Sequence, residues 1–234
     1  MALPFFYTSN YKNEQQVMLD EDTSRHVVQV LRMKAGEQLN LTDGKGNLLT
    51  CVITEEHKKH CTVAVKQTRY TEPPKRKVSI AISLLKNNNR FEWFLEKATE
   101  IGVNEIIPLI CERTEKEKFR YDRMQGICIS AMLQSQQCWL PVLHEPVEYE
   151  KLVKGASAGP KFIAHCMDDD RKPLSYYQMN MFSQAQILIG PEGDFSKAEI
   201  QLALQHDFFP VILGETRLRT ETAGVVAAAL LTLA

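Results

Sequence analysis

No apolar run in this 234-residue sequence approaches the roughly 18 to 20 residues needed to cross a bilayer, so no membrane span is predicted. The opening stretch MALPFFYTSNYKNEQQ lacks a charged segment followed by an apolar one, which argues against a secretory leader. Charge of one sign is missing too. Lys and Arg number 28 against 29 Asp and Glu, a net charge of −1, which excludes a polybasic tail but not a local basic groove. The six cysteines (51, 61, 111, 128, 138 and 166) form no C-x-x-C pair and have no His at ligand spacing. A zinc site and a disulfide framework are therefore not expected, and the reading is a reduced, cytoplasmic protein without a metal. Neither G-x-G-x-x-G nor a P-loop occurs, so neither a dinucleotide nor a nucleoside triphosphate is signalled. Internal repeats and low-complexity segments are absent as well.

What is present is a globular composition, 44% hydrophobic, ample for a buried core. The first 70 residues read as mostly β. A short aromatic strand at 5–7 is followed by a helix that Asp22, Thr23 or Ser24 would cap and Gly36 would close. A hairpin over 38–54 turns at Asp43-Gly44-Lys45-Gly46-Asn47, and another strand covers 61–67. Residues 71–77, TEPPKRK, disfavour both helix and strand interiors, which sets a domain boundary between 72 and 73. Beyond it, apolar strands at 78–85, 105–110, 161–166, 186–190 and 208–214 alternate with helical patterns at 90–101, 120–138, 197–205 and 220–233. Near-continuous apolar strands separated by helices predict a mostly parallel α/β sheet covered on both faces. The apolar stretch at 223–234 fits a core helix or an interface.

Such sheets bind ligands beyond the C-terminal ends of their strands. Two turns late in the chain suit that position. Residues 187–196, ILIGPEGDFS, run from a buried strand through a Gly/Pro turn to a helix capped near Ser196. Residues 211–223, VILGETRLRTETA, run from strand through Gly214 to a helix with Thr220 as a natural N-cap. Ordinary strand-to-helix connections explain either turn taken alone.

Taken together, 189–193 (IGPEG), Leu213-Gly214 and 218–223 (LRTETA) resemble the C-terminal signature of the RsmE-type 16S rRNA (uracil-N3) methyltransferases of the SPOUT class. The resemblance extends to 97–103 (KATEIGV), 107–109 (IPL), 112–114 (ERT), Gln134-Ser135 and Leu140-Pro141. In the first 72 residues, His26 to Arg32 and 43–46 (DGKG) are similar to the PUA-like RNA-binding domain that such enzymes carry. It implies a small PUA-like β-barrel over 1–72 and a SPOUT domain with a trefoil knot over 73–234. The cofactor implied is S-adenosylmethionine, held by Leu188, Ile189, Gly190, Glu192, Gly193, Leu213, Gly214, Leu218, Arg219 and Thr220. The acceptor implied is N3 of a uridine in 16S rRNA or the small ribosomal subunit, and the assembly a homodimer through the second domain.

Uridine N3 is a poor nucleophile until its proton leaves, so a fixed cation nearby favours reaction. Arg219, permanently charged and in the most specific block, is the catalytic candidate; Glu192 or Glu221 would accept the proton or orient it. A helix-start ion pair is the plainer reading of Arg219 and Glu221. Candidates for touching RNA are Arg25, Arg32 and Lys34, then the linker 75–77, Lys86, Arg90 and Arg113, with Lys116, Lys118, Arg120 and Arg123 following. This sequence departs from the family pattern at Asp194, where a second glycine is usual, and at Leu133 and Gln137, where Glu and Arg are usual. Those departures leave room for an inactive RNA-binding protein, and a knotted enzyme acting on tRNA or protein is the other alternative. Trp93 and Phe94 read as core, Asp168-Asp169-Asp170 as a solvated turn, His165 as structural, and Cys111 and Cys166 as lacking a His partner.

Overall fold

The computed structural model describes residues 3–9, 11–115, 118–156, 159–167, 170–177 and 181–233; Lys116, Asp168 and Asp169 lie outside these. The chain divides into two compact units. The first joins Met1–Pro73 to Met132–Leu140, and the second joins Pro74–Ala131 to Pro141–Ala234. The excursion of 132–140 into the first unit has no local signal. It is made by long-range bonds: Trp139 Nε1 donates to the Thr71 carbonyl (2.9 Å) and the Gly46 N–H to the Cys138 carbonyl (2.8 Å).

The first unit contains β1 (Phe5–Tyr7), β2 (Gln16–Met18), α1 (Glu21–Arg25), β3 (Gln38–Thr42), β4 (Asn47–Glu55) and β5 (Thr62–Tyr70), in a sheet ordered β1-β3-β4-β5-β2. Among the described residues only the β1–β3 pairing of this sheet is parallel. Alternation does the folding here. Leu39 and Leu41 of β3 and Leu49, Cys51 and Ile53 of β4 all point inward and join Val27 and Val63 in the core. Asp43 shapes the hairpin, its Oδ1 accepting from the Lys45 and Asn47 N–H groups (2.8 and 3.2 Å).

The helix begins earlier than the sequence suggests. Asp20 is the N-cap, accepting from the Thr23 N–H at 2.8 Å. Ser24 is buried instead and bridges the Leu19 carbonyl and the Cys61 N–H. A π-helical turn, His26–Val30, follows and ends at Leu31, ahead of a left-handed Arg32, so Gly36 belongs to the turn before β3 and closes no helix.

The second unit contains β6 (Lys77–Ser83), α2 (Asn88–Ile101), β7 (Glu105–Ile110), α3 (Tyr121–Gln134, whose last turn enters the first unit), β8 (Val142–Leu143), β9 (Val147–Glu148), α4 (Tyr149–Lys154), β10 (Lys161–Ala164), β11 (Lys172–Pro173), β12 (Gln184–Ile189), α5 (Lys197–Gln205), β13 (Phe208–Ile212) and α6 (Thr220–Thr232). Its sheet is parallel throughout, ordered β11-β13-β10-β12-β6-β7-β8, with β9 also pairing β7. The central strands are buried on both faces, which is why their sequences are apolar without alternation: Ala185, Ile187, Leu188 and Ile189 of β12 are all in the core. In α2, Phe91, Phe94, Leu95 and Ala98 repeat at helical spacing and are buried, and a left-handed Gly102 closes the helix. Trp93 is on the other side of that stripe and is 43% exposed, not core. Short pieces escaped the sequence reading: β2, β8, β9, β11 and α4 are too brief to show a period. Helix α3 stops at Gln134, short of Cys138, and the left-handed Gln136 follows.

Strand order fixes the geometry that matters. β10 lies between β12 and β13, so the C-terminal ends of these three strands are neighbours although the chain visits them far apart. Among the described residues, no helix is long and apolar enough to cross a membrane.

Candidate functional site

The turn leaving β12 is tightly braced. Gly190 is buried, and a Cβ there would lie 3.0 Å from the Phe195 ring and 3.2 Å from its backbone nitrogen, so only glycine fits without a shift. Asp194 takes the left-handed conformation (φ 64°), the geometry that a glycine would adopt freely. It compensates through its carboxylate: Oδ2 accepts from the Cys166 N–H and Oδ1 from the Phe195 N–H, each at 2.8 Å. The departure from the family's glycine thus ties this turn to the end of β10.

Next comes a capping box. Ser196 Oγ accepts from the Glu199 N–H at 3.3 Å, and Glu199 Oε2 from the Ser196 N–H at 2.8 Å. The other oxygen of Glu199 accepts from the Glu112 N–H at 2.8 Å, which anchors the turn to the end of β7. Arg113 adds a bond to the Gly193 carbonyl at 2.7 Å.

The turn leaving β13 is built differently. Residues 214–217 are exposed, and a Cβ on Gly214 would meet nothing within 4 Å. Thr220 is not the N-cap of α6; Arg219 is, with no side-chain bond to the helix start. The sequence favours threonine for that role, yet Thr220 is the first helical residue and buried. Glu221 is also buried, 7% exposed, and its Oε1 lies 3.7 Å from Nε of Arg90.

Both turns line one cavity of about 730 Å³. Of the residues implied for the cofactor, Ile189, Gly190, Glu192, Leu213, Gly214, Leu218, Arg219 and Thr220 form its wall. Leu188 and Gly193 do not, and neither does Glu221, a catalytic candidate. Leu188 points into the sheet core, Gly193 turns its carbonyl to Arg113, and Glu221 sits behind Arg90. The sequence reading missed the contribution of β10 and of the residues after it: Ala164, His165, Cys166 and Arg171 complete the wall. His165 is buried, and Arg171 donates to its backbone carbonyl. Only the position of β10 between β12 and β13 brings these side chains in, and no local pattern carries that.

The basic residues are dispersed and mostly partnered. Arg25 pairs with Glu21 (3.2 Å) and Asp22 (3.6 Å), Lys34 with Glu56 (3.3 Å), and Lys86 with Glu115 (2.6 Å). Arg123 pairs through two of its nitrogens with Glu92, holding that carboxyl below the usual range. In the linker, Arg76 donates to the Leu231 carbonyl at 2.7 Å, at the C-terminal end of α6. Arg32 is exposed, and Arg90, an RNA candidate by its charge, is in the cavity wall. Leu133 is half-buried, while Gln137 donates to Ser135 Oγ at 2.9 Å. All six cysteines are free, and burial pushes the Cys111 thiol up to about 12, away from any nucleophilic role.

The cavity suits S-adenosylmethionine. Its volume falls within the roughly 300–1,000 Å³ of small-molecule sites, it offers apolar Ile189, Leu213 and Leu218, and it presents Glu192 and Asp194 to a cationic ligand.

Comparison with known proteins agrees. Residues 71–232 match the RNA methyltransferase domain family, and residues 19–66 match the RNA methyltransferase PUA domain family. The ribosomal RNA small subunit methyltransferase E of Synechocystis is 32% identical over 224 residues, covering 92% of this chain and 72% of that one. A crystal structure described as a probable rRNA-methyltransferase from Porphyromonas gingivalis superposes with a TM-score of 0.90 at 38% identity, covering 99% of each chain. The ribosomal RNA small subunit methyltransferase E of Neisseria gonorrhoeae, solved bound to S-adenosyl methionine, gives 0.86 at 29% identity, covering 97% of this chain and 95% of that one. A methyltransferase domain over most of the chain, a PUA domain before it and a cavity fitted to the cofactor lead to one conclusion: this chain belongs to the RsmE-type rRNA methyltransferases.

Proposed function

We propose that this chain is an S-adenosylmethionine-dependent rRNA methyltransferase that modifies N3 of a uridine in the 16S rRNA of the small ribosomal subunit. The observation that carries the reading is the convergence of the turns after β12 and β13 on one cavity of cofactor size. The name and the bound S-adenosyl methionine of the Neisseria structure support it, as do the Synechocystis relative and the PUA match. The finer features belong to the same proposal: a trefoil knot formed by these turns, a homodimer through the second domain, and a cytoplasmic location without a metal.

When bound, S-adenosylmethionine supplies an electrophilic methyl on a sulfonium, whose sulfur takes the electron pair of the broken bond. Ile189, Leu213 and Leu218 offer apolar contact to its adenine, and Gly190 and Gly214 leave the backbone accessible beside it. Leu188 and Gly193 act from behind the wall, one as core and the other through Arg113. The acceptor N3 must shed its proton as the new bond forms, and Glu192, exposed at the cavity edge, is placed to take it. Arg219, exposed on the same rim, stabilises the negative charge that spreads onto the uracil oxygens. Arg25, Arg32, Lys34, Lys86 and Arg113 would add contacts to phosphate.

Two measurements test this reading. Calorimetric titration with S-adenosylmethionine should give a saturable signal; its absence would leave an inactive RNA-binding protein. Mass spectrometry of 16S rRNA from a strain lacking the gene should reveal one uridine that has lost an N3 methyl, restored on complementation. Retained methylation there, with loss in tRNA, would redirect the substrate assignment.

A further inference from the structure

We infer that Arg90, braced by Glu221, is a second catalytic cation of this site, holding the acceptor uracil by a carbonyl oxygen as its ring becomes anionic. The inference rests on the reading of the cavity given above and adds a residue to it.

Arg90 sits in the first turn of α2 and Glu221 in the first turn of α6, so both emerge at the end of the sheet where the cavity opens. The spacing of these helices is set directly beneath the pair. A Cβ on Gly224 would lie 2.7 Å from the Phe94 ring and 2.9 Å from Cδ1 of Ile82, so this position admits no side chain and the helices pack closely. Phe94 is one turn after Arg90 and Gly224 one turn after Glu221, so this contact sets the separation of the two helix starts that carry the pair.

Glu221 is too buried to meet a substrate itself and takes no part in the cavity wall. Its Oε1 faces Arg90, while its Oε2 is buried without a hydrogen-bond partner among the described residues. A carboxylate kept in that condition costs stability unless its charge is used, and the cation it faces lines the cavity. Glu221 is therefore a positioning residue. It pairs with Arg90 through Nε at 3.7 Å, and in the proposed complex the terminal guanidinium nitrogens meet the acceptor. Arg219 contrasts with this: it is exposed and, among the described residues, holds no carboxylate. A preorganised cation stabilises developing charge without reorganising during the reaction, which is the condition Arg90 meets. The planar fork of an arginine also suits a uracil edge, where O2 and O4 flank N3.

The test uses the full-length chain with S-adenosylmethionine and a 16S rRNA substrate. Arg90→Gln should lower kcat by about 100-fold, as loss of one charge-stabilising donor does elsewhere. Its dissociation constant for S-adenosylmethionine, read by calorimetry, should stay within about twofold, well under the tenfold that 1.4 kcal/mol represents. Arg90→Lys should recover part of the loss, and Glu221→Gln should lose about tenfold, with the double variant no worse than Arg90→Gln alone. RNA carrying 5-fluorouridine, more acidic at N3, needs less help in becoming anionic, so the defect of Arg90→Gln should shrink with it. A merely structural pair would lower the melting temperature and leave that ratio unchanged. Unchanged kcat in Arg90→Gln, or a defect insensitive to acceptor acidity, would overturn the inference. Should Arg90→Gln melt early, the Arg90→Lys rate and its 5-fluorouridine ratio decide the matter. Failure of the unmodified chain to bind S-adenosylmethionine would instead overturn the reading of the cavity, and the two failures are separate readouts.

Discussion

The two turns that enclose the cavity differ in how firmly they are held. The turn after β12 is braced at nearly every residue: Gly190 under Phe195, Gly193 by Arg113, Asp194 to Cys166, and Ser196 in a capping box whose Glu199 also reaches β7. The turn after β13 has no such bracing. Among the described residues, no side chain of 213–218 holds a hydrogen bond, and its helix starts at an Arg219 without a capping bond. One wall is fixed and the other adaptable. A segment with few buried contacts opens at low free energy, so the second turn can adjust to an acceptor while the first keeps its shape for the cofactor. The difference separates binding from chemistry: damage to the first wall should act on cofactor affinity, and damage to the second on turnover.

The largest expected effect lies on the adaptable wall. Arg219→Ala should lose about 10²–10³ in kcat. Folding stability and S-adenosylmethionine affinity should be untouched, because Arg219 caps nothing with its side chain. An equal loss of cofactor affinity in calorimetry would erase the distinction between the walls. Glu199→Ala comes next. It strips the acceptor from two backbone N–H groups, those of Glu112 and Ser196, and should cost about 2–3 kcal/mol in urea denaturation. It should also weaken cofactor binding, whereas stability loss alone would make Glu199 a helix cap and nothing more.

Gly190→Ala is smaller and more local. Its Cβ would press on Phe195, and overpacking of this kind costs about 1–3 kcal/mol. That cost should appear chiefly as weaker S-adenosylmethionine binding, with kcat at saturation retained. The matching change on the other wall, Gly214→Ala, meets open space and should stay within about 0.5 kcal/mol in both stability and affinity. Comparable losses from these glycine variants would mean that both walls are equally rigid.

Much of this site was legible in the residues. The strand at 105–110 and the helix at 197–205 stand at the positions read from the sequence, because apolar runs and a Ser-x-x-Glu start are local signals. The glycine turns were legible for the same reason. The roles of Thr220 and Trp93 were not. Propensity favours threonine as a cap, but the packing of α6 draws Thr220 inside the helix, and the buried stripe of α2 passes through Phe94 and leaves Trp93 out. Arg90 shows the limit most clearly. Its charge marked it as a surface cation, while its place in the cavity depends on Gly224 letting α6 approach α2.

The sequence by itself determined the longer strands and helices and which two turns carry glycine beside polar residues. These follow from periodicity and backbone preference, which act over a few residues. Only the tertiary structure decided that β10 lies between β12 and β13, that His165, Cys166 and Arg171 close the cavity, and that 132–140 returns to the first unit. Strand order and helix approach are settled by the packing of side chains distant in sequence, and no local pattern records which distant partner will win.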